Sequence, residues 1–307
     1  MYYFIVNLTS RTGKAAEVWS QIKAELDSRE IVYKAYVSEY PGHAMKLAQK
    51  ICNRADEDIR LIVVGGDGTV NEVINGMEHF EKVRFGYIPS GSGNDLGRGL
   101  GIEAKKPLEA LSRILEAKEE YAIDLGRVSW EDGNRLFAIS SGVGFDALVC
   151  EKALHSKIKT FLNRIGLGKL VYLVLTVQSM MGLEAEDAEI SFEDGAVYPL
   201  KKMIFAAAMN QPFEGGGVPM APKASCTDGQ LSVIYVEDIP KGKMPLMLLR
   251  LLRKKHHRIK GCHLKDTTSY TVRSKIPLVV HADGEFCGYR NEIHFEVEPK
   301  KLRLLYK

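Results

Sequence analysis

A glycine-rich segment with one carboxylate follows a short aliphatic run near position 65. Residues 61–64, Leu-Ile-Val-Val, have the composition of a strand buried on both faces. The sequence Gly-Gly-Asp-Gly follows at 65–68, and Thr69 and Glu72 then have the spacing of a capping box, so we expect a helix to begin there. The N–H groups and dipole of a helix N-terminus favour a phosphate, although an ordinary tight turn would have a similar sequence.

A second segment of the same kind comes soon after. Residues 85–89 are predicted to form a short strand, and Ser-Gly-Ser-Gly-Asn-Asp follows at 90–95. Loops at the carboxyl ends of parallel strands collect at one edge of the sheet, where α/β proteins bind ligands. The two loops therefore predict one shared phosphate site, with the carboxylate of Asp67 available to Mg²⁺.

Two common nucleotide motifs are absent from the sequence. Gly13 and Lys14 come close to a P-loop, but Leu8 stands where its first glycine belongs and Ala15 where its Ser or Thr belongs. No G-x-G-x-x-G opens a helix after the first predicted strand. The sequence therefore excludes the usual P-loop and the dinucleotide fingerprint.

Together the two loops resemble a known family. GGDGTVNEVING at 65–76 and PSGSGNDLGR at 89–98 are similar to the diacylglycerol kinase catalytic-domain family of bacterial lipid kinases, which is related to sphingosine and ceramide kinases and more distantly to NAD kinases. The continuation Asn71-Glu72 and the second loop favour the lipid kinase branch. Further matches, in the family's order, lie at 141–147, 214–217, 221–224, 227–231 and 283–285.

The resemblance implies ATP and Mg²⁺ as cofactors. Asn7 and Ser38 stand at the ends of the first two predicted strands, although Ser38 is equally a candidate helix N-cap. The residues expected at the nucleotide are Asn7, Ser38, Gly65, Gly66, Asp67, Gly68, Thr69, Val70, Asn71, Ser92, Asn94 and Asp95.

A kinase also needs a base for the acceptor hydroxyl, and the resemblance places it in Asp-Gly-Glu at 283–285. A carboxylate positioned to take this proton raises the reaction rate by about 10²–10⁴-fold. If this stretch is extended, both carboxylates lie on one face, about 6–7 Å apart; alternatively Asp-Gly is an inert hairpin turn. We expect Glu285 to be the catalytic base and Asp283 its partner or competitor. His281 stands where the family more often has an apolar residue, and it is interpreted as a strand-end histidine.

A structural Mg²⁺ site is a separate expectation from the family. Bacterial members hold this ion through an aspartate and two backbone carbonyls, which correspond here to Asp228, Ser225 and Gln230. A plain turn carboxylate at Asp228 is the alternative, since carbonyl ligands leave no trace in side-chain identity.

The pattern of elements predicts two domains. Strands at 2–7, 32–37 and 60–64 alternate with helices at 14–27 and 43–54, which indicates an α/β domain with a parallel sheet of the NAD kinase/diacylglycerol kinase type. From about position 123 strands predominate, and we expect a mainly antiparallel β-sandwich with a helical insertion at 148–182. The resemblance implies that the last strand returns to the first domain. The predicted domains are 1–124 with 296–307, and 125–295.

Composition and the positions of cysteines and apolar residues limit the class of protein and its cellular location. The chain has 307 residues, 45% of them hydrophobic and 26% charged, and a formal net charge of +3, as in an ordinary globular protein. Five scattered cysteines without C-x-x-C favour a reducing compartment, with neither a disulfide framework nor a zinc site. The N-terminus lacks the features of a signal peptide, and the apolar stretch 170–183 is too short to span a bilayer. These features predict a cytoplasmic protein. The lipid substrate that the resemblance implies adds the expectation that it associates peripherally with a membrane.

A basic segment at 241–260 contains eight Lys or Arg residues interleaved with leucine and methionine and has no acidic residue. An amphipathic basic helix of this kind can lie on an anionic leaflet, or it can be a domain helix with a solvated basic face. The segment has no interleaved aromatic residues, so nucleic acid is not an expected partner. A homodimer is left open.

We therefore expect ATP-dependent phosphorylation of a lipid hydroxyl, with diacylglycerol converted to phosphatidic acid. The alternatives are another lipid acceptor (a sphingoid base, ceramide or a glycerolipid), a soluble-metabolite kinase of the NAD kinase type, and a non-catalytic lipid-binding regulator that responds to nucleotide. The carboxylates at Asp67, Asp283 and Glu285 argue against the regulator.

Overall fold

The computed structural model describes residues 1–53, 58–118, 121–155 and 185–306. The chain divides into two compact units. The first unit comprises Met1–Ile123 and Lys300–Lys307, and the second comprises Asp124–Pro299. The last strand, β13 (Glu285–Leu304), begins in the second unit and ends in the first.

Strands and helices alternate along the first unit. Its strands are β1 (Tyr2–Val6), β2 (Tyr33–Val37), β3 (Ile59–Gly65) and β4 (Val83–Pro89). Its helices are α1 (Lys14–Ser28), α2 (His43–Cys52), α3 (Asp67–Gly76), α4 (Asp95–Gly99) and α5 (Pro107–Glu116). Short 3₁₀ turns lie at Ser10–Gly13 and Phe80–Lys82.

The strands of this unit pair in parallel in the order β13, β4, β3, β1, β2, with Leu304 of β13 opposite Phe85. Helices that connect parallel strands cover both faces of a sheet, so consecutive side chains become buried. The aliphatic run at 61–64 in β3 shows this, because each of its four side chains is fully buried. The carboxyl ends of β1, β3 and β4 consequently lie side by side.

The second unit is built mainly from antiparallel strands. They are most of β5 (Tyr121–Trp130), β6 (Gly133–Phe137), β7 (Ser140–Gly144), β8 (Glu186–Phe192), β9 (Val197–Met209), β10 (Leu231–Glu237), β11 (Cys262–Thr267), β12 (Ser269–Ala282) and most of β13. Hydrogen-bonded neighbours run in the order β11, β10, β9, β7, β12, β13; β8 pairs with β12 and β9, and β5 pairs with β13 and β6.

Alternating side chains of this unit form two hydrophobic clusters. In β10, Val233 and Tyr235 belong to one cluster, and Ile234 and Val236 belong to the other. This alternation follows from the two-residue period of a strand, so the clusters occupy opposite faces of the sheet. Helices α6 (Phe145–His155) and α7 (Met244–Leu252) contribute to the second cluster.

Several element predictions for this unit need correction. The sequence pattern predicts one strand at 135–140, where the structure has two, β6 and β7. It also predicts separate strands at 267–272 and 278–281, where the structure has the single strand β12. The helix expected from 148 begins at Phe145, and residues 156–184 of that predicted insertion, with the apolar stretch at 170–183, lie outside the described residues.

Candidate active site

The first glycine loop is a direct connection from β3 to α3. Gly66 is the N-cap of α3, and its carbonyl accepts hydrogen bonds from the N–H groups of Thr69 at 3.0 Å and Val70 at 3.1 Å. A Cβ atom on Gly65 would lie 2.7 Å from the Cβ of Thr69, so the sharp entry into the helix requires glycine there. The loop thus brings the start of α3 to the carboxyl edge of the sheet, as its sequence predicts.

The predicted capping box is wrong. Because α3 begins at Asp67, Thr69 is already its third residue and cannot be the N-cap. The hydroxyl of Thr69 instead accepts a hydrogen bond from the Asn7 side-chain amide at 3.0 Å, which ties the end of β1 to the loop. The Glu72 carboxylate accepts from the N–H groups of Gly42 at 2.8 Å and Ala44 at 3.0 Å. Glu72 therefore caps α2 rather than its own helix.

The two glycine loops lie against each other. A Cβ atom at position 91 would lie only 2.5 Å from the Cα of Gly66, so the close approach of the two loops requires glycine there. The N–H of Ser90 also donates to the carbonyl of Gly65 at 2.8 Å. The sequence-based expectation that both loops share one location is confirmed within the first unit.

The carboxylate of Asp67 connects the loops at their tips. Its Oδ2 accepts from the N–H of Asp95 at 3.0 Å, and its Oδ1 accepts from that of Leu96 at 3.3 Å. These N–H groups open helix α4, so Asp67 caps this helix as well as beginning α3. A Cβ on Gly93 would lie 2.9 Å from Oδ2 of Asp67 and 3.6 Å from Oδ2 of Asp95, so both carboxylates face the same small space.

The second loop is held in shape by its own polar side chains. Asn94 has a left-handed backbone (φ 53°), and its side-chain amide both accepts from Gly91 N–H at 2.9 Å and donates to Gly91 C=O at 2.7 Å. Asp95 is buried and pairs with the Arg98 guanidinium, which also donates to the carbonyl of Gly93 at 3.1 Å. Asn94 therefore shapes the loop, while Asp95 lies in the space shared with Asp67.

A buried tyrosine, whose part in this site no motif in the sequence indicates, lies next to this loop. The Tyr87 hydroxyl is 3.5 Å from Oδ1 of Asn94. Burial, followed by the negative charges of Asp67 and Asp95, raises the pKa of Tyr87 well above its ordinary value. Tyr87 therefore stays neutral, and the two carboxylates add to the effect of burial on its pKa.

The other predicted nucleotide residues differ in accessibility. Ser38 continues the β1–β2 pairing through its N–H, which donates to Val6 C=O at 2.8 Å, and Gly42 is the N-cap of α2, so the N-cap interpretation of Ser38 is wrong. The side chains of Val70 and Asn71 are buried in α3, at 1% and 0% exposure. Gly68, the second residue of α3, and Ser92, in the second loop, are partly exposed, and their role at the nucleotide stays a prediction.

In the second unit, Asp283 and Gly284 form the two-residue turn of the β12–β13 hairpin. Ala282 pairs with Glu285 across it, and both turn residues have positive φ, 50° and 83°. This is the geometry that Asp-Gly favours in tight hairpins. The expectation of an extended stretch with both carboxylates on one face is therefore wrong.

The Asp283 carboxylate is engaged by backbone. One oxygen accepts from the N–H of Ala138 at 2.9 Å, and the other accepts from those of Ile139 at 2.8 Å and Ser140 at 3.1 Å. The Asp283 N–H returns a hydrogen bond to Ser140 C=O at 2.8 Å. Asp283 therefore anchors the turn to the segment between β6 and β7, and Glu285, the half-buried first residue of β13, remains the predicted base.

A buried cluster lies beside this turn. His281 Nε2 is 2.8 Å from Oδ2 of Asp146 and 3.4 Å from Oε1 of Glu214, and with Cys150 these side chains offer four ligand atoms within 4.8 Å of one another. His281 does lie at the end of β12, but it is buried and paired with carboxylates and is therefore more than a strand-end histidine. Asp146 and Glu214 belong to segments that matched the family, but their role was missed because their partner lies far along the chain.

The predicted Mg²⁺ residues lie in a surface turn before β10. Asp228 is exposed, and its Oδ1 accepts from Gln230 N–H at 3.0 Å, as in an ordinary Asx turn. The Ser225 hydroxyl lies 3.0 Å from that of Thr227. Asp124, a fully buried carboxylate absent from the predictions, accepts from Gly229 N–H at 2.8 Å and holds the turn in place.

Comparison with known proteins gives the class to which this fold and site belong. Residues 1–128 match the family described as "Diacylglycerol kinase catalytic domain", and residues 139–306 match the "YegS C-terminal NAD kinase beta sandwich-like domain". The chain belongs to the diacylglycerol kinase catalytic-domain family, and it is a lipid kinase. This confirms the resemblance found in the two glycine loops, and the family implies the use of ATP.

Individual relatives also have the names of lipid kinases. The chain is 31% identical over 296 residues to "Putative lipid kinase YtlR" of Bacillus subtilis (strain 168), covering 94% of each protein. It is 28% identical to a diacylglycerol kinase of the same organism, covering 74% of this chain and 71% of that protein. A crystal structure described as "a putative diacylglycerol kinase from Bacillus anthracis str. Sterne" shares the fold, with a TM-score of 0.76 at 22% identity over 100% of this chain and 97% of the other.

Proposed function

We propose that the protein transfers the γ-phosphoryl group of ATP to the hydroxyl of diacylglycerol, giving phosphatidic acid. The joined pair of glycine loops is the observation that supports this most. Phosphoryl transfer depends on positioning and on neutralising the phosphates, and close backbone approach at a helix N-terminus is suited to that task. Relatives named diacylglycerol kinase make this lipid the first acceptor to test.

Asp67 and Asp95 would hold Mg²⁺ beside the phosphates. Their carboxylates face one space next to Gly93, and carboxylate oxygens are ligands that Mg²⁺ prefers. When bound, the ion would neutralise charge on the phosphates. The hydrogen bonds from the start of α4 orient the Asp67 carboxylate, while Arg98 orients that of Asp95.

On the acceptor side, Glu285 takes the proton of the lipid hydroxyl as the hydroxyl oxygen bonds to phosphorus and the bond to ADP breaks. Its position follows the tight Asp283–Gly284 turn, whose carboxylate is held by three backbone N–H groups. Asp283 is a positioning residue in this proposal, because its carboxylate oxygens already accept these bonds.

The acceptor can be identified with one panel. The protein is incubated with γ-labelled ATP and Mg²⁺, and with vesicles containing diacylglycerol, sphingosine or ceramide, or with NAD in solution. Label should appear in phosphatidic acid at a rate well above that of the other products. If a sphingoid base or NAD is labelled faster than diacylglycerol, that molecule is the acceptor instead.

A second Mg²⁺ at Asp228 is proposed as a structural ion, held with the backbone carbonyls of Ser225 and Gln230. A ligand that binds only the folded state stabilises it by about 2.7 kcal/mol at roughly 100 times its Kd. We expect Mg²⁺ without nucleotide to raise the Tm of the wild type, and Asp228→Ala to abolish that rise in thermal unfolding. The control is Asp132→Ala, which removes another exposed carboxylate of this unit. An equal response to Mg²⁺ in all three proteins would leave Asp228 as a turn residue.

The surface of helix α7 is proposed to dock on an anionic lipid leaflet, where the enzyme meets its substrate. The expected amphipathic basic helix over 241–260 is wrong in detail. The helix covers Met244–Leu252, is flanked by 3₁₀ turns at Lys241–Lys243 and His256–Arg258, and has Arg250 as its one basic residue.

Helix α7 is apolar on both sides. Met244, Met247 and Leu251 are buried in the core, whereas Leu246, Leu249 and Leu252 form an outward row and are each exposed by 45–47%. The other basic residues lie beyond the two ends of the helix, at 241, 243, 253–255, 258 and 260. Leucines between two basic groups complement a bilayer with anionic headgroups, which attracts each basic residue by about 1 kcal/mol. None of the helices in the described ranges combines the length and hydropathy needed to span a bilayer.

The test replaces the row of exposed leucines as Leu246→Gln, Leu249→Gln and Leu252→Gln together. Because the row supplies the apolar contact, binding to phosphatidylglycerol vesicles in a flotation assay should weaken by about tenfold or more. Activity on a water-dispersed short-chain diacylglycerol should be retained. Leu264→Gln, on an exposed leucine of β11, is the matched control. Unchanged vesicle binding by the triple variant would exclude α7 as the membrane contact.

A further inference from the structure

His281 joins three separate segments of the second unit. It lies on β12, three residues before Gly284, and its side chain is 1% exposed. Asp146 approaches it from the start of α6, and Glu214 approaches it from the connection between β9 and β10. On its other ring nitrogen, Nδ1 accepts a hydrogen bond from the N–H of Gly284 at 3.1 Å.

These contacts determine where the imidazole carries its proton. An Nδ1 that accepts from Gly284 is deprotonated, so the proton of the neutral ring is on Nε2 and is donated to Asp146. Burial lowers the pKa of His281, but the carboxylates of Asp146, Glu214 and Asp283 raise it by more, to about 9. The Gly284 N–H opposes this rise, since a second proton on Nδ1 would face it directly. The hydrogen-bond geometry therefore favours the neutral Nε2–H form over the cation that such a pKa implies at neutral pH.

The same geometry disfavours a transition metal at this cluster. Asp146, Cys150, Glu214 and His281 have ligand types that zinc accepts. A histidine that binds metal through Nε2, however, ordinarily donates a proton from Nδ1 to an acceptor. Here a backbone donor occupies that position, so a neutral ring would have no Nε2 lone pair for the metal.

We propose that His281 is a positioning residue for the catalytic turn: it holds the N–H of Gly284 through Nδ1 and thereby fixes the backbone from which Glu285 extends. Asp283 fixes the other side of the turn through the segment at 138–140. Asp146 and Glu214, which both lie near Nε2, orient the imidazole. The proposal rests on the proposed role of Glu285 as base, because orientation of that residue is what the hydrogen bond supplies.

Two substitutions of His281 distinguish the effect of the hydrogen bond at Nδ1 from that of the hydrogen bond at Nε2. The side-chain oxygen of His281→Asn takes the place of Nδ1 and can still accept from Gly284, but it loses Asp146. The longer amide of His281→Gln reaches the place of Nε2 and can donate to Asp146, but it leaves Gly284 without an acceptor. We expect His281→Gln to lower kcat by about tenfold, as small misplacement of a reacting group does, with both KM values unchanged. His281→Asn should restore most of kcat.

Coupling to Glu285 distinguishes this proposal from the function on which it rests. In a Glu285→Gln background, His281→Gln should have no further effect on kcat, because a misplaced base and an absent base are equivalent. If Glu285→Gln itself is fully active, the assignment of the base is wrong. If Glu285→Gln is impaired but His281→Gln is active, or if the two effects multiply, only the inference about His281 is wrong.

Two further measurements complete the test. The ¹⁵N spectrum of the imidazole should show a protonated Nε2 and a deprotonated Nδ1, and this pattern should persist in Glu285→Gln. Cys150→Ser should leave kcat unchanged, and the purified protein should contain no stoichiometric zinc. Zinc lost together with stability in both Cys150→Ser and His281→Asn would make the cluster a metal centre and overturn the proposal.

Discussion

Glu285→Gln is expected to lower kcat for lipid phosphorylation by about 10²-fold or more while ATP affinity stays near its original value. Glutamine keeps the shape and hydrogen-bonding capacity of the side chain but cannot accept the proton of the acceptor hydroxyl. Initial rates at saturating ATP, together with nucleotide binding measured separately by calorimetry, give the two quantities. Vesicle binding should be unchanged, so a loss of chemistry is distinguished from a loss of access to lipid.

Two controls isolate the carboxylate of Glu285 from its surroundings. Glu292→Gln changes an exposed glutamate on the same strand, one that pairs with Arg273 at 2.7 Å, and should keep the kcat of the wild type. Asp283→Asn replaces an oxygen that accepts backbone N–H groups by an amide donor, so it should lower Tm as well as kcat. A dead Asp283→Asn with an unchanged Tm, beside an active Glu285→Gln, would exchange the roles of the two carboxylates. If both variants keep the kcat of the wild type, neither carboxylate is the base, and Asp95 is the next candidate.

The glycine loops could be predicted from sequence because each is a local feature. Strand composition, glycine spacing and the following helical period all lie within about a dozen residues, and the parallel-strand rule then places both loops at one edge. The capping box failed for an equally local reason. The glycines let α3 begin at Asp67, two residues before the Thr69 that the motif would use as its cap.

The details that were missed depend on contacts between residues far apart in sequence. Asp283 is bonded to residues about 145 positions earlier, and His281 is bonded to Asp146 across 135 positions. No periodicity or motif around His281 indicates such partners. The hairpin turn at 283–284 is different, because Asp-Gly is a strong local signal for that turn. The family resemblance favours a catalytic role for Asp283 and Glu285 over an inert turn. In the structure Asp283 and Gly284 form the turn, and Glu285, the predicted base, follows directly after it.

The Asp67 carboxylate should be as sensitive to substitution as Glu285. Asp67→Ala removes both the acceptor for the α4 N–H groups and a negative charge proposed to bind Mg²⁺. We expect kcat/KM for ATP to fall by about 10²-fold or more, since misplacement of the phosphates by about 1 Å is sufficient for such a loss. Loss of the helix cap should also reduce stability by about 1 kcal/mol, seen as a lower Tm.

Asp67→Asn separates these two effects, because its side-chain oxygen can still accept from the N–H of Asp95 while the charge is gone. If the charge acts on metal and phosphate, Asp67→Asn should be as inactive as Asp67→Ala but should lose less stability, because only the hydrogen bond from the N–H of Leu96 is replaced by a donor. Glu72→Gln is the matched control, since Glu72 caps α2 in the same unit through two N–H groups and has no proposed role at the nucleotide. It should lose some stability and keep kcat/KM. An active Asp67→Asn would mean that Asp67 acts only by joining the two loops, and the Mg²⁺ ligand would then be Asp95, whose carboxylate faces the same space beside Gly93.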